Sequence, residues 1–122
     1  MIVRLVCMKI QPDKLAEFQR IYQGACDRIR AFPGCTFLQL LLDTDGEGNL
    51  YTISHWRSAE DLDAYRHSSF FRGIWERLKP MFRDKPWAQS TTVLIDSSEL
   101  KRAAMLAARE DRSGETAFQP GV

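Results

Sequence analysis

Polarity alternates along Ile2 to Ile10 as in a strand, with Ile2, Val6, Met8 and Ile10 in one register and Val3, Leu5 and Cys7 in the other. Pro12-Asp13 then opens a helix. Leu15, Phe18, Tyr22, Ala25, Ile29 and Phe32 recur at three- and four-residue intervals, Ile21 and Cys26 widen the stripe, and Pro33-Gly34 ends it. From Cys35 to Asp43 both registers are apolar: Phe37 and Leu41 in one, Leu38, Leu40 and Leu42 in the other. A strand of this kind belongs to a sheet covered on both faces. The polar run Asp43 to Asn49 is a turn, and Leu50 to Trp56 returns as the hairpin partner. Ser58 caps a short helix in a capping-box arrangement with Asp61. His67-Ser68-Ser69 breaks that helix, and a serine caps the next one. Phe71, Ile74, Trp75 and Leu78 form its apolar face until Lys79-Pro80 stops it. Ala88 to Asp96 alternates as a last strand, with Val93 and Ile95 in one register and Leu94 in the other.

The resulting order, β-α-β-β-α-β, predicts an α+β, ferredoxin-like domain over residues 1–96, with helices on one face of a four-stranded antiparallel sheet. The apolar second register of strand 35–43 leaves the other sheet face in need of cover. A two-fold homodimer pairing the sheets supplies it. Residues 97–122 form an extra C-terminal segment: an Ala-rich helix capped by Ser97 or Ser98, then a polar, mobile tail.

Composition changes this picture little. Seven Phe, three Trp and three Tyr, with 44% apolar residues, indicate a packed globular core. The 17 basic and 16 acidic side chains are interspersed, so nothing points to nucleic acid or to a membrane surface. No apolar run is long enough to span a membrane, and the N-terminus reads as a strand, not a signal peptide. Cys7, Cys26 and Cys35 form no C-x-x-C and read as reduced structural thiols, which favours the cytoplasm. The two histidines, His55 and His67, are twelve residues apart with no carboxylate cluster at ligand spacing, so no metal site is expected.

Phe32-Pro33-Gly34-Cys35, the hairpin closing on Trp56, Arg57-Ser58-Ala59-Glu60, and Tyr65-x-x-Ser68-x-x-Phe71 together resemble the antibiotic biosynthesis monooxygenase (ABM) superfamily over residues 1–96. The resemblance implies a dimeric α/β barrel. It leaves the reaction open, because relatives include cofactor-free oxygenases of polycyclic aromatics or quinols, haem-degrading enzymes and proteins without assigned activity. The haem-degrading branch uses a first-strand Asn, a Trp on the short helix and a His ligand ten residues later. Those positions carry Val6 or Cys7, Tyr65 and Trp75 here, and an indole has no lone pair for iron.

The oxygenase branch asks for an apolar cavity, flat walls and a group that takes a proton or holds an anion. No cofactor is expected. The expected base is His67, with its near-neutral ordinary pKa, and Tyr65 and Arg66 orient the substrate or hold an oxyanion. Phe37, His55, Trp56, Phe70, Phe71 and Trp75 are the expected substrate-binding residues, around a small apolar or aromatic ligand. The competing expectation is a non-catalytic ligand-binding or scaffold dimer in which Phe71 and Trp75 are simply core. A cavity between helix and sheet separates the two.

Overall fold

The computed structural model describes residues 1–110. Met1–Thr92 form one compact unit and the chain from Val93 onward a second. The first unit contains β1 (Ile2–Lys9), α1 (Leu15–Arg30), β2 (Cys35–Leu42), β3 (Asn49–Trp56), α2 (Ala59–Arg66), α3 (Ser69–Leu78) and β4 (Trp87–Thr91), with short 3-10 turns before α1 and after α3. Its four strands lie in the order β2-β3-β1-β4, all neighbours antiparallel. This is the ferredoxin-like arrangement, with the first and third strands in the middle. Among the described residues no helix is long and apolar enough to cross a membrane.

The register sorts side chains between the two sheet faces. Trp56, Ser54, Thr52 and Leu50 of β3 stand opposite Ile2, Arg4, Val6 and Met8 of β1 and face the helices. These four β3 residues are all buried, whereas Tyr51, Ile53 and His55 between them are half-buried. From α1 the stripe Phe18, Tyr22, Ala25 and Ile29 packs down, joined by Leu78 and Met81, to make the main core with Met8, Ile10 and Leu50. A smaller cluster of Cys35, Trp56 and Leu62 closes the other end.

Three local devices set the helix layer. The Ser58 hydroxyl accepts from the Asp61 N–H at 3.1 Å, and the Ser68 hydroxyl accepts from the Phe71 N–H at 3.1 Å, so α2 and α3 each start on a serine cap. Ser68 also donates to the Tyr65 carbonyl at 2.6 Å, which welds the end of α2 to the start of α3. Gly34, at φ +88°, lets the α1–β2 turn pass against the Asp61 side chain, where any Cβ would collide.

Two expectations are corrected. The last strand ends at Thr91, not Asp96, because β1 runs out of residues beyond the Val3–Thr91 pair; Val93, Leu94 and Ile95 are exposed. The second unit carries α4 (Ser97–Glu110), and its cap is Asp96, whose carboxylate accepts from the Ser98 N–H at 2.9 Å. The expected tail beyond residue 110 lies outside the described residues.

Candidate functional site

A cavity of about 280 Å³ lies between the sheet and the helix layer. It exists because the inward positions in the middle of β1 and β3 carry Arg4, Val6, Thr52 and Ser54, which leave room that large apolar side chains would fill. Its aromatic wall is a continuous ladder. Trp56 stacks on Tyr65 at 4.9 Å between ring centroids, and Tyr65 meets Phe71 edge-on at 5.1 Å. Phe71 stacks on Trp75 at 5.9 Å, and Trp75 meets Phe82 edge-on at 5.4 Å. Ring pairs at these separations hold one another in place. Trp56 is also fixed by its indole N–H, which donates to the Ser54 hydroxyl at 2.9 Å.

The polar groups are few. Arg4 is half-buried on the cavity floor, and its Nη1 donates to Ser90 Oγ at 3.0 Å. Burial, and then the nearby Arg66 guanidinium, lower its pKa, and Asp63 offsets part of this. Arg66 lines the cavity and is exposed, so the cavity reaches the surface there. Burial pushes the Tyr22 and Tyr65 hydroxyls well above the ordinary phenol range, which keeps both neutral. Among the described residues neither histidine and no Asp or Glu lines the cavity. Among the described residues no group of three or more His, Cys, Asp or Glu is placed to hold a metal ion. The three cysteines are free, and burial raises the pKa of Cys26 and Cys35, the reverse of what a nucleophilic thiol needs.

Of the residues singled out from the sequence, Tyr65, Arg66, Trp56, Phe71 and Trp75 come together around this cavity. Four do not. His67 is exposed at the end of α2, and its Nδ1 lies 2.8 Å from the Asp63 carbonyl oxygen. A carbonyl only accepts, so this bond puts a proton on Nδ1 and ties the ring to its own helix end. Phe37 and His55 pack on each other, 4.6 Å between centroids, on the opposite sheet face. The cause is a bulge between Cys35 and Phe37: Cys35 pairs with Trp56 and points inward, and the extra residue turns Phe37 outward beside His55. Phe70 points along α1, stacked on Phe32 at 5.9 Å and under the Arg28 guanidinium at 4.2 Å.

Sequence reasoning missed Arg4, Tyr22, Thr52 and Ser54 as cavity residues. A signal was present for three of the four. Arg4 shares the register of Ile2, Val6 and Met8, and a lone cation among inward apolar positions marks a polar floor. Thr52 and Ser54 alternate with Tyr51, Ile53 and His55, so they had to face the helices.

Comparison with known proteins agrees with this architecture. No curated protein sequence matches the chain at a significant level. Among solved structures, an antibiotic biosynthesis monooxygenase superposes with a TM-score of 0.73 at 17% identity, covering 78% of this chain and 100% of its own. A protein from Mycobacterium tuberculosis gives 0.72 at 19% identity, covering 79% and 97%. A candidate antibiotic biosynthesis monooxygenase from Caulobacter crescentus CB15 gives 0.72 at 21%, covering 77% and 90%. At these identities the likeness speaks for the fold. The sequence profile described as "Antibiotic biosynthesis monooxygenase" (ABM) matches residues 1–77, which run from β1 through most of α3 and carry nearly all of the cavity lining, and on that match the chain belongs to the ABM family.

Proposed function

We propose that this protein binds a flat aromatic molecule in the cavity between helices and sheet and oxygenates it with dioxygen, without a bound cofactor. The observation that carries the reading is the cavity itself: about 280 Å³, walled by Trp56, Tyr65, Phe71 and Trp75, with a guanidinium on its floor. This volume lies near the small end of ligand sites and suits roughly two or three fused rings.

In such a reaction a ring methylene that faces an aryl ketone across the central ring, as in an anthrone, loses a proton, and the charge delocalises through the flanking aromatic rings onto the carbonyl oxygen as an enolate. The enolate passes one electron to dioxygen, and the resulting radical and superoxide combine to form a C–O bond. Protonation gives a hydroperoxide. Loss of water then breaks the O–O bond and removes the second methylene hydrogen, leaving a ketone. One oxygen atom ends in the product and the other in water, and the substrate supplies all four electrons. The chain's part is to exclude water, to hold the ring plane against the aromatic ladder and to lower the cost of the enolate. Arg4, half-buried, does the last by its positive field, and Arg66 at the exposed mouth adds a smaller share. With no His, Asp or Glu on the lining among the described residues, the proton leaves to water and not to His67.

That same absence of a lining base favours a second reading, a ligand-binding protein without catalysis. An oxygen electrode separates the two. With 1,8-dihydroxyanthrone as probe, the oxygenase reading expects saturable uptake of one dioxygen per substrate, well above the rate without protein. Uptake no faster than the uncatalysed rate, with the probe still bound by calorimetry, would leave only the binding reading.

We also propose that the apolar face of the sheet is covered by a second copy of the chain. The half-buried Ile53 and the half-exposed Trp87 support this, since a solitary subunit would show both to water. The unpaired cysteines are compatible with a reducing cytoplasm.

A further inference from the structure

The cavity holds more positive charge than its neighbours neutralise. Arg4 enters from the middle of β1 among Val6, Thr52 and Ser54, and its guanidinium spends one of its N–H groups on Ser90. Among the described residues its only hydrogen-bond partner is that hydroxyl, and the sole ion pair in this part of the chain is Lys14–Glu17 on the surface. Arg66 adds a second positive charge within reach, and Asp63 a negative one. The balance is close to one net positive charge facing an otherwise apolar, aromatic space. The guanidinium is half-buried and its remaining N–H groups are open to the cavity and to solvent, so they are free to take acceptors from a ligand that enters.

We propose that the resident ligand of this cavity is an aromatic carboxylate, its ring plane on the Trp56–Tyr65–Phe71–Trp75 ladder and its carboxylate on the fork of Arg4. This rests on the reading of the cavity as a ligand site and specifies which ligand. Three features choose the class. A planar guanidinium matches a carboxylate with two parallel hydrogen bonds, a geometry that a lysine ammonium or a lone hydroxyl does not offer. The charge of Arg4 is permanent, so it favours a ligand that is already anionic in the resting complex. An enolate formed only during reaction does not supply that, whereas a carboxylate does. The local balance of two guanidinium groups against Asp63 matches a monoanion and would leave a phosphate dianion in excess. The Thr52 hydroxyl and the neutral Tyr22 and Tyr65 hydroxyls remain to donate to further ligand oxygens.

The test compares naphthalene-2-carboxylate with naphthalene-2-carboxamide, which have nearly the same shape and differ in charge, by titration calorimetry on the full chain. The expected result is at least tenfold tighter binding of the carboxylate, about 1.4 kcal/mol, weakening as salt is raised. In Arg4→Gln the preference should shrink to less than about twofold because the carboxylate loses far more affinity than the amide, and Arg4→Lys should keep only part of it. Arg66→Gln, a change at an exposed position, should lower the preference by a smaller factor and guards against an Arg4 variant that fails to fold. Equal affinity of the two probes for the wild-type protein would overturn the carboxylate proposal and leave the cavity reading intact. Binding of neither probe would remove both. Undiminished preference in Arg4→Gln, with the fold intact by circular dichroism, would assign the anion to some other group and overturn the role of Arg4.

Discussion

The two faces of the sheet invert the usual arrangement. In an antiparallel sheet with helices on one side, the helix-facing positions are normally the apolar ones and the outward positions polar. Here the middle of β1 and β3 turns Arg4, Thr52 and Ser54 toward the helices and Val3, Leu5 and Ile53 away from them. The difference shows that neither face is complete as a core or as a solvent surface. The inner face is underfilled and carries unspent polar groups, which makes a cavity. The outer face is apolar, with Trp87 still 50% exposed, and this is the ground on which a covering second copy is proposed for it. Adjacent residues on one strand therefore serve different ends: Trp56 holds the fold and walls the cavity, and His55, one step back, stands with Phe37 on the other side.

The largest effect expected from this division is at Trp56, 1% exposed and bonded to Ser54. Trp56→Ala should cost about 3–5 kcal/mol of folding stability, read as a drop in the urea midpoint at unchanged slope. Phe37→Ala, on the opposite face, should cost less than about 1 kcal/mol when measured at low protein concentration. Similar losses for both would mean that the outer face belongs to the folding core, and the contrast between the faces would fail.

Next in size is Gly34→Ala. A positive φ of 88° disfavours alanine, and the added Cβ would strike Asp61 at the first turn of α2. The expected cost is about 1–3 kcal/mol. Because α2 carries Tyr65 and Arg66, ligand affinity should fall as well. A change in stability with no change in affinity would show that the anchoring of α2 and the shape of the cavity are independent.

What could be read from the sequence follows from how local its cause is. The Ser58 cap, a serine cap on α3 and the α1 stripe from Leu15 to Ile29 are each decided within a few residues and stand as the sequence predicts, although α1 ends at Arg30, before Phe32 and the Pro33-Gly34 stop. The end of β4 depends on where β1 runs out, some 90 residues earlier in the chain, so alternation alone carries it too far. Phe37 is misplaced by a bulge that periodicity does not register. His67 sits at the helix junction as expected, but a carbonyl four residues back competes for its ring and decides its direction. Arg4 is easily passed over because a single charge in an apolar strand reads as an outward position; the register it shares with Ile2, Val6 and Met8 says the reverse, and the pairing with Ser54 and Ser90 agrees.

A charge on the outer face should separate assembly from folding. Ile53→Glu places a carboxylate at the centre of the apolar face, opposite Leu5 and Gln39. If a second copy covers this face, the variant's dimer dissociation constant should rise at least tenfold in sedimentation equilibrium, about 1.4 kcal/mol, with its far-ultraviolet spectrum unchanged. A wild-type protein that sediments as a monomer at all concentrations would remove the proposed cover.

The smallest effect is silent at neutral pH and appears only in alkali. Tyr22 and Tyr65 both face the inner side, and burial is the first cause of the raised pKa of each. An unfolded tyrosine ionises near pH 10. Where the folded pKa is raised above that value, the folded state holds its proton more firmly. The stabilisation is then fully present below about pH 10 and is lost as the pH climbs from there toward the folded value. Tyr51 is also raised, first by the neighbouring Cys7 thiol, but it lies on the outer face, outside the subunit's own core, and can ionise without the subunit unfolding, whether or not a second copy must leave first. A spectrophotometric titration at the phenolate band should therefore show one of the three tyrosines ionising reversibly in folded protein. The other two should appear only together with loss of the near-ultraviolet dichroism of the aromatic ladder. Tyr65→Phe should remove one of the late pair and delay alkaline unfolding. Reversible ionisation of all three with the fold intact would mean that water reaches both inner hydroxyls freely. The inner face would then be a solvated cleft, and the guanidinium on its floor would lose the poorly solvated setting on which its field depends.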